Sequence, residues 1–236
     1  MRPLVQTYGE WPIARTEYRS LYVLDGQSLG TAPAEGVSCY DEYGYNPAVG
    51  VTSGMHWGGG LMPWGTPVDQ RLDEAYSLLF TTPPLEEALD VTGTPEAVLH
   101  VSSTAEVAYF RVKLIDVAPD GTSKLVRYGG LNATHRNGDD KPEPFEPGKI
   151  YELRVSLKAM SYVFQPGHRI RVAIASADFQ NAWPTGQPSV NRVYRDRGHA
   201  SHIRLPVIPT SEDDPPTVEL KPLPNADPAD LDTPTE

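Results

Sequence analysis

Cysteine is nearly missing from this chain of 236 residues. Cys39 stands alone, which excludes an internal disulfide and a thiolate-rich metal site and fits a reducing compartment. No apolar run approaches the roughly 20 residues that a membrane-spanning helix needs. The opening Met1-Arg2-Pro3-Leu4-Val5-Gln6 has no apolar signal core. These absences predict a soluble, cytoplasmic chain with no membrane partner, and they make the glycosylation pattern at Asn132-Ala133-Thr134 accidental. Positive charge is scarce as well: 20 Lys and Arg face 31 Asp and Glu, a formal net charge of -11. Phosphate binding needs clustered cations to displace counterions, so no nucleic acid is expected as a partner.

What is present points to strands and turns. Hydrophobic residues make up 39% of the chain, enough for a sizeable core, while 24 Pro and 20 Gly predict many turns and no long helices. The negative charge is unevenly placed. From Pro209 to Glu236 eight carboxylates face Lys221 alone, a charge of -7 that leaves only -4 for the rest. That tail alternates Pro with acids and has too few bulky apolar groups to offset ordering entropy. The expected organisation is a lead-in over 1–16, one β-domain over 17–208, and an acidic, Pro-rich disordered tail over 209–236.

Within the body, period-2 alternation marks the strands. Glu17–Leu24 is a strand ending at the turn pair Asp25-Gly26, and Ala75–Thr82 is a buried strand stopped by Pro83-Pro84. Ala97–Ser102 follows. Over Ala108–Asp116, Ala108, Phe110, Val112 and Leu114 alternate with Tyr109, Arg111 and Lys113, the pattern of one buried and one wet face. Asp120-Gly121 supplies a hairpin turn, and the return strand from Lys124 to His135 carries Gly129-Gly130, where a bulge is expected. Tyr151–Ala159 alternates most strictly, Ile170–Ile174 repeats the pattern, and Ser201–Val207 closes the body. About eight short strands predict an all-β fold, an antiparallel jelly-roll β-sandwich of the galactose-binding-like type. Between Thr31 and Arg71 no period is sustained, and a long Gly- and aromatic-rich loop is expected there.

Four features bear on chemistry. Gly26-Gln27-Ser28-Leu29-Gly30 matches the G-x-S-x-G elbow of serine hydrolases. That elbow needs a helix immediately after the serine, and Thr31-Ala32-Pro33-Ala34-Glu35-Gly36-Val37 is too short and broken to form one, so an ordinary turn is expected. Of six histidines only His199 and His202 are close in sequence, without the carboxylate spacing of a metal site, and His100 and His168 read as structural. Asp116 and Asp120 flank the hairpin and read as turn or solvent residues. Tyr40, Tyr43, Tyr45, Trp57 and Trp64 form an aromatic group that either offers a contact surface or packs over the end of the sandwich.

The phrase Phe80-Thr81-Thr82-Pro83-Pro84-Leu85-Glu86-Glu87-Ala88-Leu89-Asp90-Val91-Thr92-Gly93 resembles a run in the C-terminal domain of X-Pro dipeptidyl-peptidases and cocaine-esterase-like (CocE/NonD) serine hydrolases. Further matches follow in order: Leu114-Ile115-Asp116-Val117-Ala118-Pro119-Asp120-Gly121, then Phe164-Gln165-Pro166-Gly167-His168-Arg169-Ile170-Arg171, then Ile174-Ala175-Ser176-Ala177-Asp178-Phe179. The resemblance covers about Trp11 to Pro209. It implies a non-catalytic jelly-roll beside a separate α/β-hydrolase domain that carries the Ser-His-Asp triad. No catalytic residue, cofactor or metal is then expected here. The partner would be that catalytic domain, a small ester, amide or peptide would be the substrate, and a homo-oligomer is compatible with this. Tyr43, Tyr45, Trp57, Trp64 and Trp183 are the candidates for lining the cleft or touching the catalytic domain. The alternative is a stand-alone carbohydrate- or ligand-binding module.

Overall fold

The structure, a computed structural model, describes residues 4–5, 8–36, 39–52, 69–211 and 218–219. The chain divides into two compact units, Thr16–Pro209 and a smaller one made of Met1–Arg15 with Thr210–Glu236. In the smaller unit, strand β1 (Leu4–Val5) pairs antiparallel with β15 (Val218–Glu219). Apart from this strand and residues 209–211, the acidic tail lies outside the described residues.

Among the described residues, the regular structure of the larger unit is almost all strand. Its elements are β2 (Glu17–Leu24), β3 (Ser28–Gly30), β4 (Tyr40–Gly44), a single helical turn α1 (Arg71–Glu74), β5 (Leu78–Thr81), β6 (Leu89–Gly93) and β7 (Glu96–Ser103). Then follow β8 (Tyr109–Val117), β9 (Ser123–Asn132), β10 (Tyr151–Ser156), β11 (Met160–Phe164), β12 (Arg169–Ala175), β13 (Val190–Tyr194) and β14 (His202–Val207). Strands β2 to β14 form one 13-stranded sheet. The main path runs β4-β13-β7-β14-β2-β3-β5-β12-β8-β9, with β10 on β7 and the β6–β11 pair attached at β14. The sheet folds over itself as a sandwich, and β9 returns to meet the β10 end through a bridge between Gly129 and Leu157. The first and last strands of the unit lie side by side, from Glu17↔Val207 to Tyr22↔His202.

Alternation builds the core between the two layers. Phe80, Phe110, Leu114, Leu153, Phe164, Ile170, Ile174, Ile203 and Leu205 are fully enclosed there. At about 1.5–3 kcal/mol for each buried large side chain, this cluster is the main source of stability. The hairpin at Asp120-Gly121 forms as expected: Gly121 takes φ +84 and the Asp120 carboxylate accepts from Thr122 N at 2.9 Å. No helix among the described residues is long and apolar enough to cross a membrane.

Several expectations change. The region from Thr31 to Arg71 is not all loop, because Tyr40–Gly44 joins the sheet as an edge strand on β13. The β8–β9 ladder runs unbroken through Gly129 and Gly130, and its register shift falls between Leu114 and Ile115 instead. These glycines serve close packing: a Cβ on Gly129 would sit 2.3 Å from Ser156 O, and one on Gly130 would meet the Tyr109 ring and hydroxyl. Strand β8 has no wet face, since Arg111, Lys113 and Ile115 are as buried as their core-facing neighbours. The segment around α1 and the turn after Asp178 cover them and supply polar partners.

Candidate functional site

Two segments cross the outer face of the β8–β12 half of the sheet. The first is residues 45–52. Val49 packs on Ala175 and Ala177, its carbonyl accepts from Phe179 N at 2.8 Å, and the Tyr45 hydroxyl donates to Thr185 O at 2.8 Å. Gly50, at φ +100, lies so close to Asp178 and Phe179 that a Cβ would stand 2.7 Å from their backbone. Residues 45–52 and the turn Asp178–Ala182 are thereby clamped together. The turn presents Trp183, 88% exposed, with Phe179 edge-on to it at 6.2 Å between ring centres, and Val51 stands 51% exposed on the clamped segment.

The second segment, residues 69–77, enters through an Asp69–Lys124 bridge and the bond from Gln70 N to Ser123 O at 2.8 Å. Arg71 donates to the Asp69 carboxylate and holds it below its usual range. Glu74 accepts from Ser123 Oγ and pairs with Arg171 at 2.7 Å, which fixes α1 to β9 and β12. Leu72 and Tyr76 then point outward, 72% and 56% exposed.

Beneath these segments lies a buried charge network. Asp178, fully enclosed, meets Arg111 Nη2 at 2.5 Å and Lys113 Nζ at 3.3 Å. Lys113 Nζ also donates to Gln70 Oε1 at 3.1 Å, and the Arg111 guanidinium lies 4.0 Å from the centre of the Tyr128 ring. Buried charges persist only when paired, so this arrangement fixes β8, the Asp178 turn and Gln70 relative to one another.

The aromatic candidates separate. Tyr43 sits in β4 opposite Asn191, against the core, with its hydroxyl 2.7 Å from Ser176 Oγ. Burial pushes its phenol well above the ordinary range, so it stays protonated. Both Tyr43 and Tyr45 thus have hydroxyls engaged inside the unit, while Trp183 stands exposed at the surface beside Phe179. Trp57 and Trp64 lie outside the described residues. Val51, Leu72, Tyr76 and the Arg111–Lys113–Asp178 network were not read from the sequence. Ile115 and Val117, apolar and in step with Arg111 and Lys113, were the signal that this side of β8 is covered.

Other candidates resolve as structural. Ser28 opens β3 in a hairpin whose turn holds Gly26 and Gln27 at φ 64 and 58, and its Oγ donates to Asp25 O at 2.6 Å. A strand follows where an elbow needs a helix. Ser28→Ala is therefore expected to change stability by less than about 1 kcal/mol in urea denaturation, as for one exposed hydrogen bond. Asp116 is not a solvent residue: its carboxylate accepts from the Tyr162 hydroxyl at 2.7 Å and lies 2.8 Å from His168 Nδ1. His100 and His199 meet edge to face at 5.6 Å, and His199 Nδ1 lies 3.2 Å from Asp196. No group of three or more metal-ligating side chains that could hold an ion occurs among the described residues.

Comparison with known proteins identifies the family. Residues 5–204 match the X-Pro dipeptidyl-peptidase C-terminal non-catalytic domain. The chain belongs to this family. It is 34% identical over 227 residues to cocaine esterase of a Rhodococcus species, covering 84% of this chain and 39% of the esterase. Among solved structures, an aminopeptidase from a marine sediment Thaumarchaeota archaeon superposes with a TM-score of 0.74 at 27% identity, over 86% of this chain and 38% of that one. An α-amino acid ester hydrolase gives 0.70 at 27% identity, over 80% and 36%. The chain thus spans little more than a third of these relatives.

Proposed function

We propose that this chain is the accessory C-terminal β-sandwich domain of a serine hydrolase acting on a small ester, amide or peptide, and that it packs on an α/β-hydrolase domain and helps wall the substrate cleft. Membership of the non-catalytic family supports the accessory role. The observation that carries the contact surface is Trp183. A Trp left 88% exposed beside a turn anchored by a fully buried carboxylate is ready to be covered, and exposed Val51 stands on the segment clamped to that turn. A large aromatic on a rigid support binds with little loss of conformational freedom. A domain that fixes the cleft changes rate through geometry while the triad does the chemistry.

In the enzyme containing both domains, Trp183→Ala is expected to raise KM for the ester or peptide substrate by about tenfold, the loss of one well-packed contact of roughly 1.4 kcal/mol. The two domains should also unfold in separate transitions by calorimetry. Unchanged KM together with a single unchanged transition counts against the proposal.

A further inference from the structure

We propose that Lys113 is a positioning residue that couples the two segments of this outer face, so that the surface carrying Val51 and Trp183 and the surface carrying Leu72 and Tyr76 form one preset docking platform. Asp178 already meets Arg111 at 2.5 Å, so its charge has a close partner without Lys113. A second buried cation beside the same carboxylate adds desolvation cost, and a Met would fill the volume without it. What Lys113 adds is reach: its ammonium lies 3.3 Å from Asp178 Oδ1 and 3.1 Å from Gln70 Oε1. Each of those residues anchors one segment. Asp178 begins the turn clamped to Val49 and Gly50, and Gln70 caps α1 and bonds Ser123.

Each segment also holds the sheet directly, Val49 at Ala175 and Ala177 and Glu74 at Ser123 and Arg171, with β12 serving both. A single ammonium bridging two such anchors makes opening of one segment weaken the other, which is coupling between sites rather than added local stability. A partner domain touching Trp183 would then find Leu72 and Tyr76 already in place. The proposal deepens the docking reading and rests on it for its purpose. Its test does not, because coupling is read on the full 236-residue chain with no catalytic domain present.

Val49→Ala loosens the first segment, and amide hydrogen exchange by NMR reads the second at Asp73, Glu74, Tyr76 and Ser77, whose backbone N–H groups are bonded within that segment. With Lys113 present, Val49→Ala is expected to raise exchange at these four amides by about fivefold or more beyond any rise at the core amides of Phe110 and Val172. In the Lys113→Met background the excess should vanish, and Lys113→Arg should retain it. Gln70→Leu cuts the same link from the other side and replaces Lys113→Met if that variant does not fold. An equal excess with and without the link, or no excess in the Lys113 protein, overturns the proposal, whatever Trp183→Ala does to the enzyme.

Discussion

Asp178→Ala is expected to lower the unfolding free energy by about 3–5 kcal/mol, the cost of leaving buried charges without their partner. Arg111 and Lys113 approach this carboxylate at 2.5 and 3.3 Å, and all three side chains are almost wholly removed from water. With the carboxylate gone, two cations remain in a medium that solvates them poorly. Domains of this size hold about 5–15 kcal/mol in total, so the variant should be marginal at growth temperature. Urea denaturation of the parent and variant measures the difference. Replacing the three charges together, with Asp178→Leu, Arg111→Met and Lys113→Met, should recover most of the loss, because no uncompensated charge is left. By contrast, parting the solvent-screened Arg192–Glu42 pair should leave the unfolding free energy almost unchanged. A loss for Asp178→Ala as small as that would mean that water reaches the network.

Gly129→Val is expected to be of similar size, about 3 kcal/mol or more, because the clash is with main chain that cannot swing aside. A Cβ at this position would lie 2.3 Å from Ser156 O and 3.0 Å from Leu157 Cα, where β9 meets the β10 end. Relief requires that the Gly129–Leu157 bridge open, and the bond from Lys158 N to Tyr128 O at 3.0 Å would be strained with it. Gly44→Ala is the control. It lies in an edge strand where a Cβ would meet nothing within 4 Å and should be neutral or stabilising by about 0.5–1 kcal/mol, as expected for a strand Gly without a packing duty. Thermal unfolding of both variants separates close approach from backbone freedom.

The strands that the sequence displayed are those with a hydrophobic face against the core and a polar face outward. Tyr151–Ser156 is the clearest: Leu153 and Val155 are buried while Glu152, Arg154 and Ser156 are exposed. Strands β6 (LDVTG) and β13 (VNRVY) escaped because they are five residues long and mix polar groups into buried positions, such as Thr92 and Asn191. Their strand state is imposed by neighbours already in the sheet and not by their own pattern. Gly129-Gly130 suggested a bulge because glycine weakens a strand, and only the position of Ser156 shows why the ladder nevertheless continues.

For the candidate site, the family phrase was legible and the geometry was not. Arg111 and Lys113 read as solvent-facing because charge normally marks the wet face, and nothing near them in sequence reveals Asp178 or Gln70 as partners. Tyr43 and Tyr45 were visible as aromatics, yet whether a tyrosine is a contact or a strut depends on what its hydroxyl meets. Here those partners are Ser176 and Thr185, more than a hundred residues away in the chain. Trp183 could be picked out by its unusual surroundings, but its exposure is a property of the turn that Asp178 anchors.

The pairing of Glu17 with Val207 has a consequence of its own. Partners in an antiparallel ladder have Cα atoms about 4.5–5.5 Å apart, so the polypeptide enters and leaves the larger unit through a neck one rung wide. Seen as a polymer, residues 17–207 are a loop drawn out of a continuous thread and pinched shut at its base. Lengthening or shortening anything within the loop leaves the separation of the two thread ends unchanged. Tension applied across those ends would load the Glu17–Val207 rung and the bond from Ile208 N to Asp90 O before any rung further in, and part β2 from β14 one pair at a time.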